Sequence, residues 1–105
     1  MIQTTADVVR GDLVQVMVEL FGRARLLAGR REVPVEVPVV CGIGKLASVL
    51  ADSVPTLMGE VVREDNVGLV ESYVFNLNGI RFLGDEFVEL EQGDRILLFS
   101  SQAGG

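Results

Sequence analysis

Two runs of strict alternation constrain this chain more than any other feature. Across residues 13–21, Val14, Val16, Val18 and Leu20 alternate with Gln15, Met17 and Glu19, and across residues 33–39, Val33, Val35, Val37 and Val39 alternate with Pro34, Glu36 and Pro38. A period of two places every second side chain on the same face of a strand, so each run predicts a strand with one buried face. Proline cannot donate to a ladder, so the second strand is expected at a sheet edge or broken there.

Those faces need a partner layer. After Gly42 and Gly44, apolar residues recur at three- and four-residue spacing as Leu46, Val49, Leu50 and Val54, ending at Pro55. This predicts a helix of about three turns whose stripe covers the sheet. Residues 22–30 read as a connector, and residues 57–65 can add a helical turn. Tyr73 to Leu77 reads as a strand. Asn78-Gly79 is the dipeptide that a type I′ hairpin turn favours, so residues 80–83 are expected to return as a strand. Gly93-Asp94 then turns the chain into residues 95–100, RILLFS, a last strand. The order strand, strand, helix, strand, strand, strand describes an α+β fold, a mixed sheet with one main helix across one face. Its expected core is Val16, Val18, Leu46, Leu50 and Phe75.

A chain of 105 residues fits one domain. The expected organisation is a polar N-terminal extension over residues 1–12, the domain over 13–100 and a tail over 101–105. With 49% hydrophobic and 23% charged residues the chain can supply its own core. Nine Lys/Arg against fifteen Asp/Glu leave a formal charge of −6, the wrong sign for neutralising phosphates, so nucleic acid is not an expected partner. The absence of histidine removes Ser-His-Asp and Cys-His catalysis and HExxH zinc sites together. A single cysteine, Cys41, forms no internal disulfide or CxxC pair, and no run approaches the ~18 apolar residues of a membrane span. The expectation is a cytoplasmic protein without membrane contact.

The chemistry-bearing candidate is the end of the sequence, Ala103-Gly104-Gly105. A carboxylate on two residues without Cβ atoms can thread a narrow channel in backbone conformations closed to other residues. It becomes an electrophile once joined to AMP from ATP, and sulfur can then displace the AMP. An inert tail is the bland alternative, since chain ends are often small and poorly ordered.

With these residues in view, the chain resembles the ubiquitin-like sulfur carriers, most closely the small subunit of molybdopterin synthase (MoaD type) and more distantly the thiamine carriers (ThiS type). The resemblance spans about residues 13–105. It rests on Phe21-Gly22-Arg23-Ala24-Arg25-Leu26-Leu27-Ala28-Gly29 after the first strand, Leu46, Leu50 and Pro55 on the helix, Asn78-Gly79, Gly93-Asp94, and Leu98-Phe99 leading to Ala103-Gly104-Gly105. It implies a β-grasp, ubiquitin-like fold with the last strand beside the first. It also implies that Gly105 is adenylated by a ubiquitin-activating-like adenylyltransferase, converted to a thiocarboxylate through a sulfur-relay protein, and inserted into the molybdopterin synthase large subunit. There its sulfur would go to a pterin precursor of the molybdenum cofactor. On this reading the chain binds no cofactor and is a non-catalytic, sulfur-donating subunit, with ATP used by its activating enzyme. A ubiquitin-like modifier, a carrier for thiamine, cysteine or tRNA thiolation, and a plain interaction domain stand as alternatives. Where many members carry Pro-Pro-Val before the final Ala-Gly-Gly, this chain has Ser100-Ser101-Gln102, without the φ-locking residues.

Four further features have structural and functional readings. If the helix covers one face only, Leu97 and Phe99 lie on an open surface that leads to the tail and marks a docking patch. Cys41, without a His or Cys partner, reads as structural. Lys45, the only lysine, reads as a solvated helix residue and as the one side chain able to receive an isopeptide. Residues 84–94 carry Asp85, Glu86, Glu89, Glu91 and Asp94 with no cation among them. They form a solvated loop that would steer a basic partner toward the tail; their spacing fits no calcium loop, so no metal is expected.

Overall fold

In the first strand, β1 (Leu13–Leu20), Val16, Val18 and Leu20 are buried while Leu13 and Gln15 face solvent, so the sequence alternation becomes one core face. The computed structural model describes residues 13–65 and 67–101. Strand β2 (Glu32–Pro38) buries Val33, Val35 and Val37 in the same way and pairs antiparallel with β1 from Leu13↔Pro38 to Glu19↔Glu32. It lies at the edge of a five-stranded sheet ordered β2, β1, β7 (Arg95–Ser100), β4 (Tyr73–Leu77) and β5 (Arg81–Phe82), the place where Pro34 removes no needed ladder donor. The alternation also ends there: Val39 falls outside β2, and Val40–Cys41 form a separate short strand, β3.

Between β1 and β2, where a connector was expected, the chain makes a seven-residue helix, α1 (Gly22–Ala28). Gly29 closes it at φ 73°, its N–H donating to the Arg25 carbonyl at 2.9 Å, the left-handed stop that glycine adopts without steric cost. The main helix, α2 (Ile43–Ser53), starts at Gly42 and buries Leu46, Ala47, Leu50 and Ala51 against the sheet. Pro55–Leu57 add one 3₁₀ turn. Beyond Leu57, residues 58–65 form no helix; Gly59 at φ 84° breaks the chain, and isolated bridges join Met58 to Val62 and Val62 to Leu69.

β4 (Tyr73–Leu77) and β7 (Arg95–Ser100) pair antiparallel, and β7 lies parallel to β1. The last strand is therefore central and beside the first, as the β-grasp expectation requires. Asn78 and Gly79 have φ of 57° and 75°, and the Ile80 N–H donates to the Leu77 carbonyl at 2.9 Å, so the turn has the two positive φ values of type I′. The returning strand β5 is only Arg81–Phe82, shorter than residues 80–83. Strand β6 (Val88–Glu89) pairs with β3 in a small second sheet that no sequence pattern announced. Val16, Val18, Leu46, Leu50 and Phe75 are each at most 1% exposed, together with Leu20, Leu57, Leu90, Ile96 and Leu98. The core thus lies between α2 and one sheet face, and the opposite face stays open.

Candidate docking face and tail exit

Alternation along β7 sends Ile96 and Leu98 into the core and leaves Leu97 and Phe99 half-buried on the open face. Phe99 is the hub of three rings. Phe21, whose N–H reaches the Leu98 carbonyl at 3.2 Å, meets it edge-on with centroids 6.2 Å apart, and Phe82 of β5 meets it at 6.0 Å and 61°. Phe82 is 62% exposed and Phe21 38%, so the cluster is a surface and not a second core. Ile80, on the turn into β5, and Leu26 of α1 are also exposed. Phe21 and Phe82 were not singled out from sequence for this surface; the period-two register of β5 against β4, Asn76 opposite Phe82, is the signal that would have found the second.

The strand leaves the sheet at the same end. Ser100 is opposite Tyr73, and Ser101 donates from both its N–H (2.5 Å) and its hydroxyl (3.0 Å) to the Ser72 carbonyl. Ser72 itself holds φ 86°, a conformation uncommon for a residue with a Cβ. The tail therefore leaves from a fixed point, and Phe99 lies two residues before it. Ala103, Gly104 and Gly105 lie outside the described residues, as do residues 1–12.

Charge is distributed differently from the expectation. Asp94 opens β7 and is a structural clamp: its carboxylate accepts from Asn78 Nδ2 at 3.1 Å and from the Glu91 N–H at 2.8 Å. It precedes the start of β7 by one residue, and Ser100 lies six residues further on, about 20 Å at ~3.4 Å per residue. Glu91 and Asp94 thus lie at the end of β7 away from the tail. Glu86 has a cation outside the segment, Arg81 at 3.3 Å; a backbone N–H bond first and Arg81 second hold its carboxyl below the usual range. Around α1, near the tail exit, Arg25, Arg30 and Arg31 are exposed and Arg23 pairs with Glu60 at 2.6 Å.

Cys41 is 2% exposed and donates to the Gly42 carbonyl at 3.4 Å. Burial pushes its thiol up, outweighing the Lys45 ammonium that pulls it down, the opposite of an activated cysteine. It borders a cavity of about 620 Å³ on the helix side, shared with Val40, Lys45, Arg63, Val67 and Phe87. Lys45 is exposed. Among the described residues no cluster of three or more acidic or cysteine side chains could hold a metal, and no helix is long and apolar enough to cross a membrane.

No protein-family model matches the chain, and no curated protein matches it in sequence. Solved structures do match. The crystal structure of small archaeal modifier protein 1 from Haloferax volcanii is 25% identical, with a TM-score of 0.71 over 87% of this chain and 99% of that one. The solution structure of small archaeal modifier protein 1 from Methanosarcina acetivorans, 23% identical, shares the fold at a TM-score of 0.70 over 89% and 98% of the two chains. A Pyrococcus furiosus protein described as "putative molybdopterin converting factor, subunit 1" is 28% identical, with a TM-score of 0.60 over 83% and 97%. These neighbours bear out the resemblance to the MoaD/ThiS ubiquitin-like superfamily and the β-grasp fold.

Proposed function

We propose that this ubiquitin-like β-grasp chain of the MoaD/ThiS superfamily is a sulfur carrier that works through its terminal glycines. The carrying observation is the tail exit: a chain ending in Gly104-Gly105 leaves the sheet from the Ser101–Ser72 anchor, beside the open face of Leu97, Phe99, Phe21 and Phe82. A partner that docks on the face receives the tail at a set place. Ala103 and Gly104 then enter a channel shaped for bare backbone, and Gly105 presents its carboxylate.

The adenylating partner joins that carboxylate oxygen to the α-phosphorus of ATP, releasing pyrophosphate. The outer sulfur of a relay persulfide attacks the acyl carbon and AMP leaves. A thiol then cleaves the sulfur–sulfur bond, freeing the thiocarboxylate at Gly105. The chain itself holds no ATP and contributes no acid or base; those groups belong to the partners. In the finer form of the proposal the acceptor is the large subunit of molybdopterin synthase, in a cytoplasmic setting, supported by the likeness to the Pyrococcus protein.

A second reading, a protein modifier joined by isopeptide to lysines, is supported by the two small archaeal modifier proteins among the neighbours. One experiment separates the two. The purified chain is incubated with its genomically paired adenylating enzyme, ATP and a sulfur donor, and its intact mass is measured. Gain of one oxygen-to-sulfur exchange supports the carrier; conjugates to lysine support the modifier; neither product returns the tail to an inert extension.

A further inference from the structure

Asn76 sits on β4 with Leu97 on one side and Phe82 on the other, on the open face of the sheet. It is only 6% exposed, and among the described residues its Oδ1 is the one buried side-chain nitrogen or oxygen without a hydrogen-bond partner. Buried acceptors are nearly always satisfied, and an exception asks for a reason. Phe82 and Phe99 stand on the strands flanking β4, and their ring centroids are 6.0 Å apart on the same face. Phe82 is 62% exposed, so its ring is open to an incoming side chain. An unpaired carbonyl oxygen beside two aromatic rings matches a cationic side chain, whose N–H bonds the oxygen while its charge lies against the ring faces.

We propose that Asn76, Phe82 and Phe99 form a site for an arginine or lysine side chain of the docking partner. The inference deepens the carrier reading, on which it rests for the partner being a protein that approaches beside the tail. The chain's formal charge of −6 favours a basic partner. Arg95, on the same face, does not oppose one, because its guanidinium is paired with Glu19 and Glu32. Asn76 is then a specificity residue, since an apolar residue there would pack as well in the free protein but leave the partner's cation without its acceptor.

The test needs neither enzyme nor ATP, so its failure is distinct from failure of the carrier reading. The ¹⁵N-labelled full chain is titrated with the blocked tripeptide Gly-Arg-Gly, with norleucine replacing arginine as control. The expected result is saturable shifts of the Asn76 side-chain amide and the Phe82 and Phe99 backbone amides with arginine and not with norleucine. Asn76→Leu should weaken that binding at least about fivefold, the ratio expected for loss of one charge-assisted bond, while its urea midpoint is no lower than wild type. Phe82→Ala, at an exposed position, provides a second variant that should also bind more weakly. Equal shifts with norleucine, unchanged affinity in both variants, or shifts confined to residues 84–94 would overturn the proposal.

Discussion

The ring of Phe99 meets the ring of Phe21 edge-on, at 89° and 6.2 Å between centroids. The contact joins the residue that follows β1 to the penultimate residue of its parallel neighbour β7, at the end of the sheet from which the tail departs. It couples the docking surface to the exit point, since the N–H of Phe21 also bonds the Leu98 carbonyl.

Phe99→Ala is therefore expected to act on both stability and binding. Each aromatic pair contributes roughly 0.5–1.5 kcal/mol beyond its buried area, and Phe99 makes two. A half-buried ring in this setting should cost about 1–2 kcal/mol on truncation, with unfolding still cooperative. Affinity for the proposed docking partner should fall by more than about 1 kcal/mol. Urea denaturation beside a binding titration checks both; loss of cooperative unfolding would make Phe99 a core residue instead.

Asn78 carries a separate expectation. Its backbone holds φ 57°, its Oδ1 accepts from the Arg95 N–H at 2.8 Å, and its Nδ2 reaches Asp94. Asn78→Gly keeps the conformation and loses the side-chain bonds, so a loss of about 1–2 kcal/mol is expected. Asn78→Ala loses the bonds and keeps a Cβ in the left-handed region without the local polar contacts that let asparagine tolerate it, so it should lose roughly 1–2 kcal/mol more than Asn78→Gly. Equal losses for the two variants, measured by urea denaturation, would show that the turn conformation adds nothing.

The buried Cys41 predicts a pH dependence. Burial raises its folded-state pKa above the unfolded value, so above about 8.5 the unfolded chain releases a thiol proton that the native chain retains. Stability is unaffected below that range and falls as pH rises through it. Cys41→Ala should flatten the decline between about pH 8 and 9.5, read from urea midpoints, and native Cys41 should resist iodoacetamide at pH 8. Rapid alkylation without denaturant would contradict the buried, protonated thiol.

The legibility of this fold follows the length of its patterns. β1, β2, α2 and β4 each repeat their period over at least five residues, and the Asn78-Gly79 turn is encoded by the two residues it contains. α1 escaped because seven residues beginning with glycine give no countable period. β3 and β6 contain two residues each and exist only because the chain brings them together. The candidate surface was half legible: Leu97 and Phe99 follow from alternation within one strand, whereas Phe21 joins them from the far end of the sequence and Phe82 through the register of the β4–β5 hairpin. Asn76 reads in the sequence as a polar interruption of a strand, and its burial follows from the pairing that sets it between Leu97 and Phe82. Glu91 and Asp94 misled through proximity in sequence, because β7 carries the chain away from them before the tail begins.

The tail is where fold and function should separate. Deleting Gly105 is expected to abolish activation, because the terminal carboxylate is the proposed reactant, while the urea midpoint stays at the wild-type value. Gly104→Ala retains that carboxylate but adds a Cβ, which restricts φ and narrows the fit to a channel built for bare backbone. It should slow adenylation without removing it, so the two variants distinguish chemistry from fit. The measurement is pyrophosphate release with the paired adenylating enzyme, followed by intact mass after addition of a sulfur donor. Ser101 lies between this tail and the sheet, and both of its bonds end on the Ser72 carbonyl. Ser72→Gly, which relieves the φ of 86°, should leave activation near wild type and raise stability by up to about 1 kcal/mol. If the chain lacking Gly105 still gains sulfur, the carboxylate of that residue is not the reacting group and the carrier proposal fails.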